Sequence, residues 1–219
     1  LSELHGKGQL VGLSNCPNLT AKIFFTEFRN GEASIRIVDS TSFNLTSPPP
    51  TRSGELIQQG LTKRGASKIK KTVRMFQYLV ENRKKSKAFC SFITLTYPLV
   101  WADDKLSKIH LDHFLKRIKR KIPNYIYVWV AERQRRGAIH YHILSPDFVD
   151  KAIINKAWSE IVSKWYKKEG LEFTGVYPNV IPVYNASAYM TKYMTKEEES
   201  IKGNMYGMSE SARKLIEPI

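Results

Sequence analysis

The stretch YIYVWVAERQRRGAIHYHIL, residues 125–144, constrains the fold more than any other part of the chain. Residues 125–132 and 139–144 are rich in β-branched and aromatic side chains, and a polar segment containing Gly137 joins them. This pattern predicts two antiparallel strands and a turn over residues 133–138. Side chains alternate across a strand, so His140 and His142 leave one face together while Tyr141 and Ile143 leave the other. If the turn centres near Arg136, Glu132 stands directly across from His140. Two imidazoles and one carboxylate then converge. That donor set suits Mg²⁺, Mn²⁺ or a similar divalent ion that keeps open coordination positions. It contains no thiolate, which argues against a structural zinc site. A His-x-His pair alone is as readily two half-buried sheet residues, and the opposed carboxylate weighs against that. Gln134, two residues further on, is the fallback third ligand.

The flanking chain alternates in type. Residues 66–85 read as a helix with Ile69, Val73, Phe76 and Val80 at helical spacing. Residues 89–97 read as a strand stopped by Pro98. Residues 107–121 read as a second helix, with Leu111, Phe114, Leu115 and Ile118 as its apolar stripe. A third helix is expected over 151–168, with Ile154, Ala157, Trp158, Ile161 and Trp165 inward. Pro178 and Pro182 make residues 176–184 an expected edge strand. Near the start, residues 22–38 read as a hairpin turning at Asn30-Gly31. Residues 39–64, rich in Ser, Thr and Pro, read as a loop. Together these elements predict an α+β sandwich: an antiparallel sheet with helices on one side.

A last helix is expected from Asn185, a favourable N-cap, to about Glu198. Tyr189, Lys192, Tyr193 and Lys196 stand at i, i+3, i+4 and i+7 and share a face. Ala186, Met190 and Met194 form a separate stripe suited to core contact. The helix can therefore pack through its methionines and still present two tyrosines and two lysines. A tyrosine hydroxyl can attack a scissile phosphate and form a covalent phosphotyrosine. A divalent ion and a lysine would stabilise the charge that develops. An amphipathic helix with packed tyrosines and solvated lysines is the plain alternative.

The net charge of +15 in 219 residues favours a polyanionic partner, above all nucleic acid. Basic residues cluster at 63–71 with Arg74, at 83–87, and at 116–121. Lys116, Lys119 and Arg120, with Arg133, Arg135 and Arg136 of the turn, are the candidate DNA contacts. Tyr97, Trp101, Tyr125 and Tyr127 are candidates for stacking unpaired bases, some of which must instead be core. No apolar run approaches the roughly 18 residues of a spanning helix, and no basic amphipathic membrane helix stands out. No signal-peptide pattern opens the chain, and Cys16 and Cys90 form no disulfide framework, so a cytoplasmic location without membrane contact is expected. A GxxxxGK[ST] phosphate loop is absent, so these residues encode no ATP-driven helicase.

Taken together, the motifs resemble the HUH endonuclease superfamily of replication initiators, relaxases and transposases. His140-Tyr141-His142 looks like its His-hydrophobic-His strand. Residues 92–98, FITLTYP, look like its apolar strand, and Tyr189 and Tyr193 match its nucleophile helix. Tyr189…Lys192 and Tyr193…Lys196 repeat the spacing of single-strand virus initiators. Two tyrosines four apart are most similar to the gene A type initiators of microvirus phages. The resemblance covers residues 89–196 and implies an RRM-like central antiparallel sheet with helices packed on it. To this the chain would add an N-terminal hairpin extension (1–60), leaving 61–219 as the endonuclease domain. It further implies a divalent metal on Glu132, His140 and His142, and single-stranded or hairpin origin DNA as substrate. The products would be a 5′-phosphotyrosyl link and a 3′-OH that primes rolling-circle replication of a phage or plasmid. A host helicase is an expected partner. The competing expectations are an HUH transposase or mobilisation relaxase, a non-catalytic RRM-like nucleic-acid-binding module, and a hydrolase using water.

Overall fold

The computed structural model describes residues 21–27, 33–39, 61–83, 89–194 and 201–217. The expectations for residues 1–20, the Asn30-Gly31 turn, most of the Ser/Thr/Pro-rich stretch, residues 84–87 and Lys196 lie outside them. The chain divides into two compact units, Leu1–Glu55 with Leu215–Ile219, and Leu56–Lys214. In the first, β1 (Ala21–Glu27) and β2 (Ala33–Asp39) form an antiparallel pair, from Ala21 opposite Asp39 to Glu27 opposite Ala33.

The second unit is α+β. Its strands are β3 (Cys90–Leu95), β4 (Val128–Arg133), β5 (Ile139–Ser145), β6 (Asn179–Val183) and β7 (Tyr206–Met208). They form one antiparallel sheet in the order β6-β3-β5-β4-β7. Its helices are α1 (Lys63–Glu81), α2 (Asp104–Lys121), α3 (Lys151–Lys168), α4 (Ala186–Met194) and α5 (Glu210–Ile216). The run β3-α2-β4-β5-α3-β6 is a split βαβ unit that leaves β3 and β5 central, the RRM-like arrangement. Pro182 sits on β6, which pairs only with β3, so its missing N–H disrupts no interior ladder.

Local chemistry sets the helix starts. Thr62, Asp103 and Asp150 each accept a backbone N–H of the first turn, from Gly65 at 3.0 Å, Leu106 at 2.7 Å and Ala152 at 2.6 Å. Lys119, Arg120 and Lys121 close α2, where cations complement the helix dipole.

The two faces of the sheet carry different cargo. Ile93, Leu95, Ala131, Tyr141 and Ile143 point to α2 and α3, where they meet Phe114, Ile118 and Trp158 in the main core. The alternate residues Phe92, Val128, Val130 and Leu144 are equally buried, on the side of α1 and α4. The expectation of helices on one side is therefore corrected. Both faces of the central strands are apolar, so both need cover. α1 supplies part of it through Ile69, Val73, Phe76 and Val80, and α4 through Ala186 and Met190, all buried.

The strand β7 and the helix α5 have no counterpart in the sequence reading. Three and seven residues are too short for a periodic signal. Gly207 is the trace that β7 leaves, since a Cβ there would come within 2.7 Å of Nε1 of Trp129.

Candidate metal and nucleophile site

The β4–β5 register puts Glu132 directly opposite His140 and Val130 opposite His142. Gly137, at φ +91°, closes the turn between the strands, and Gln134 N–H donates to Ala138 O at 2.8 Å. One ligand atom from each of Glu132, His140 and His142 lies within 4.8 Å of the other two. Glu132 Oε2 stands 2.5 Å from Nε2 of His142, which is 3% exposed. Two lone-pair atoms this close repel unless a cation or a proton lies between them. On the other side of the ring, Thr94 Oγ1 lies 3.2 Å from His142 Nδ1. A partner on Nδ1 leaves Nε2 as the ligand atom, the usual support for a metal-bound histidine. The donor chemistry and this support fit a divalent ion with bonds of about 2.0–2.2 Å.

α4 crosses this same face. Asn185 Oδ1 caps it by accepting Ala188 N–H at 2.9 Å. Gln77 of α1 also fixes its start, donating to Tyr184 O at 2.9 Å and accepting Ala186 N–H at 3.2 Å. Ala186 and Met190 are fully buried, as their stripe predicts. Tyr189 and Tyr193 lean on Phe92, edge-on at 4.6 Å and stacked at 5.3 Å between ring centroids. The Tyr193 ring also lies over His142, with centroids 3.9 Å apart. The second tyrosine ring is 5.8 Å from the first. Burial, then a hydrogen bond with Tyr189 and the charge of Glu132, push the Tyr193 hydroxyl well above the usual tyrosine range. It therefore rests as a phenol. Lys192 is exposed, its ammonium 5.9 Å from the Tyr193 ring centre.

The expected DNA contacts separate. Arg133 grips both carboxylate oxygens of Asp104 at 2.7 and 2.8 Å and donates to Gly137 O, tying the turn to the start of α2. Burial would raise the Asp104 pKa, but hydrogen bonds from the Lys202 N–H and from Arg133 hold it below the ordinary value. Arg136 donates to the carbonyls of Tyr97 and Pro98 and to Gln134 Oε1, and lies over Trp101. Gln134, the fallback ligand, is thus occupied within the turn. Arg135 is exposed. Lys116, Lys119 and Arg120 are exposed on α2, the helix behind the sheet, so they are not brought to the donor set; Lys116 pairs with Asp112. Tyr97, Tyr125 and Tyr127 are buried core residues, which corrects their reading as base-stacking candidates and leaves Trp101 at the surface. Thr94, Phe92 and Gln77 are the site residues that motif reading passes over. Thr94 and Phe92 had a signal, because their parity on β3 matches that of the histidines on β5.

Comparison with known families bears on what this geometry is for. Residues 90–198 match the family model of the ORF2-type replication-associated proteins. The match covers just under half of the chain and supports a rolling-circle replication initiator family. It spans β3 through α4, and so includes all three candidate ligands and both tyrosines. No curated protein matches the chain. Among the described residues no helix is long and apolar enough to cross a membrane.

Proposed function

We propose that residues 61–219 form a metal-dependent nickase of the HUH type, which cuts single-stranded or hairpin origin DNA through a tyrosine to start rolling-circle replication. The observation that carries this reading is the Tyr193 ring lying over His142, at the edge of a Glu-His-His donor set. Glu132, His140 and His142 would hold the ion, and a bound Mg²⁺ or Mn²⁺ polarises the scissile phosphate and takes up developing charge. Tyr193, the tyrosine nearer to His142, attacks first. Its oxygen bonds to phosphorus as the bond from phosphorus to O3′ breaks. The phenol gives up its proton and the departing O3′ gains one, leaving a 5′-phosphotyrosine and a free 3′-OH. Tyr189, hydrogen-bonded to Tyr193, serves the following strand transfer, as expected for initiators of the gene A type. Lys192 and Lys196 add positive charge on the solvent side. Arg135 and the exposed α1 cations Lys70 and Arg74 hold flanking phosphates, because α1 shares the face of α4.

The test is a denaturing gel of the full chain with a pool of labelled hairpin and single-stranded oligonucleotides and Mn²⁺. A covalent band that disappears with chelator, and disappears entirely in the Tyr189→Phe/Tyr193→Phe double variant, is expected. Cleavage without that band would replace the tyrosine mechanism with hydrolysis by water. DNA binding without cleavage across several metals would favour a non-catalytic module.

A further inference from the structure

Behind the sheet, away from the tyrosines, α2 and α3 pack side by side and leave a groove of about 510 Å³ between them. Its apolar lining comes from Leu106, Ile109, Ile161 and Trp165, of which Ile109 is 42% exposed. Its rim is cationic. Arg120, Lys164 and Lys168 have no carboxylate partner among the described residues, while Lys116 and Arg117 pair with Asp112 and Glu160. Nothing in the proposed nicking reaction uses this groove. We propose that it docks an acidic, amphipathic helical segment of a partner protein.

Three observations favour that occupant. First, the charge is complementary: a segment with apolar residues on one face and carboxylates beside them would bury its apolar side between the helices and meet the rim with its charges. Second, α2 and α3 have 18 residues each, about 27 Å of axis, enough to receive several turns of a third helix. Third, the lining suits side chains better than bases. Trp165 meets Tyr97 and Tyr166 at steep interplanar angles of 80° and 86° and is tilted against His110, and the other lining residues are aliphatic. Base stacking needs open aromatic faces. Burial holds His110 down to a pKa of about 4, so it is neutral and adds no charge to the groove at neutral pH.

The proposal is independent of the nicking chemistry and is tested on the full chain. The probe is a fluorescein-labelled synthetic peptide of about four helical turns, with leucines at i, i+3, i+4 and i+7 and glutamates elsewhere. Its controls replace every glutamate by glutamine or every leucine by serine, and an oligothymidylate is titrated in parallel. Binding is read by anisotropy and by the indole N–H resonance of Trp165. Saturable binding that moves the Trp165 signal is expected. It should weaken at least about tenfold in Lys164→Glu/Lys168→Glu, in Ile109→Ser and with either control peptide. These surface substitutions should leave the melting temperature and the covalent band unchanged. Absence of peptide binding, or binding indifferent to the substitutions, overturns the proposal. So does oligothymidylate moving Trp165 and losing affinity in the charge-reversed variant, which would make the groove a nucleic-acid site.

Discussion

Tyr141 and His142 are neighbours on β5, yet they belong to different regions of the molecule. Tyr141 is fully buried among the α2 and α3 side chains, and its hydroxyl meets Ser107 at 2.8 Å. His142 faces Glu132 and Tyr193 under α4. The period-two geometry of a strand lets three consecutive residues anchor a core and present ligands at once. The α2/α3 face is layered apolar packing with isolated, satisfied hydroxyls. The α1/α4 face has an equally apolar inner part, but at one end it gives way to a carboxylate, two imidazoles and two phenols. One face provides the rigidity that the other uses, because ligands on paired strands are held more firmly than ligands on loops.

Substitutions on the two faces should therefore fail in different ways. The largest expected effect is His142→Ala, which should slow covalent-adduct formation by about 10³-fold with a modest loss of stability. Single-turnover nicking alongside thermal melting separates the two. Tyr141→Ala should do the reverse. It should lose about 3–5 kcal/mol of stability while the remaining folded fraction still forms adduct, as read by urea unfolding against adduct yield at low temperature. Equal loss of activity per folded molecule in both variants would break the division between faces.

A smaller effect is expected where the two are joined. Gln77→Ala removes both side-chain hydrogen bonds that fix the start of α4. A cost of about 1–2 kcal/mol and a several-fold slower adduct formation should follow, with metal affinity by calorimetry unchanged. The core face should also carry a pH signature. His110, hydrogen-bonded to Tyr97 at 2.8 Å, is held neutral in the fold with its pKa lowered from 6.5 to about 4 by burial. The unfolded chain takes up this proton first, so the stability contribution is complete above 6.5 and is lost as pH falls from 6.5 to about 4. Urea midpoints across that window should decline, and His110→Phe should flatten the decline. The smallest contrast concerns surface charge. Lys70→Glu/Arg74→Glu on α1 should weaken DNA binding and lower its salt dependence, whereas Lys119→Glu/Arg120→Glu on α2 should change both far less. Titrations at several salt concentrations would show it.

What was legible in the sequence follows the same division. Long periodic segments declared themselves, so α1, α2, α3 and the β4–β5 hairpin appear where spacing predicts them. The opposition of Glu132 and His140 followed from strand alternation and turn length alone. The second helical layer was not legible, because a buried apolar strand does not say how many faces are covered. Nor was the use of Arg133. Its partner Asp104 lies 29 residues away, and a guanidinium in a turn reads the same whether it holds DNA or a carboxylate. Likewise Tyr97, Tyr125 and Tyr127 look like stacking platforms until the packing of α2, α3 and the C-terminal segment buries them.

The central claim is that α4 delivers a tyrosine to a metal held on the open face of the sheet. It is tested most directly by digesting the covalent protein–DNA product with nuclease and protease and mapping the modified peptide by mass spectrometry. A nucleotide-5′-phosphate is expected on Tyr193 in wild type and on Tyr189 in Tyr193→Phe, each formed only with divalent metal. A nucleotide on any residue outside α4, or a modified tyrosine formed equally well in the His140→Ala/His142→Ala variant, would contradict it.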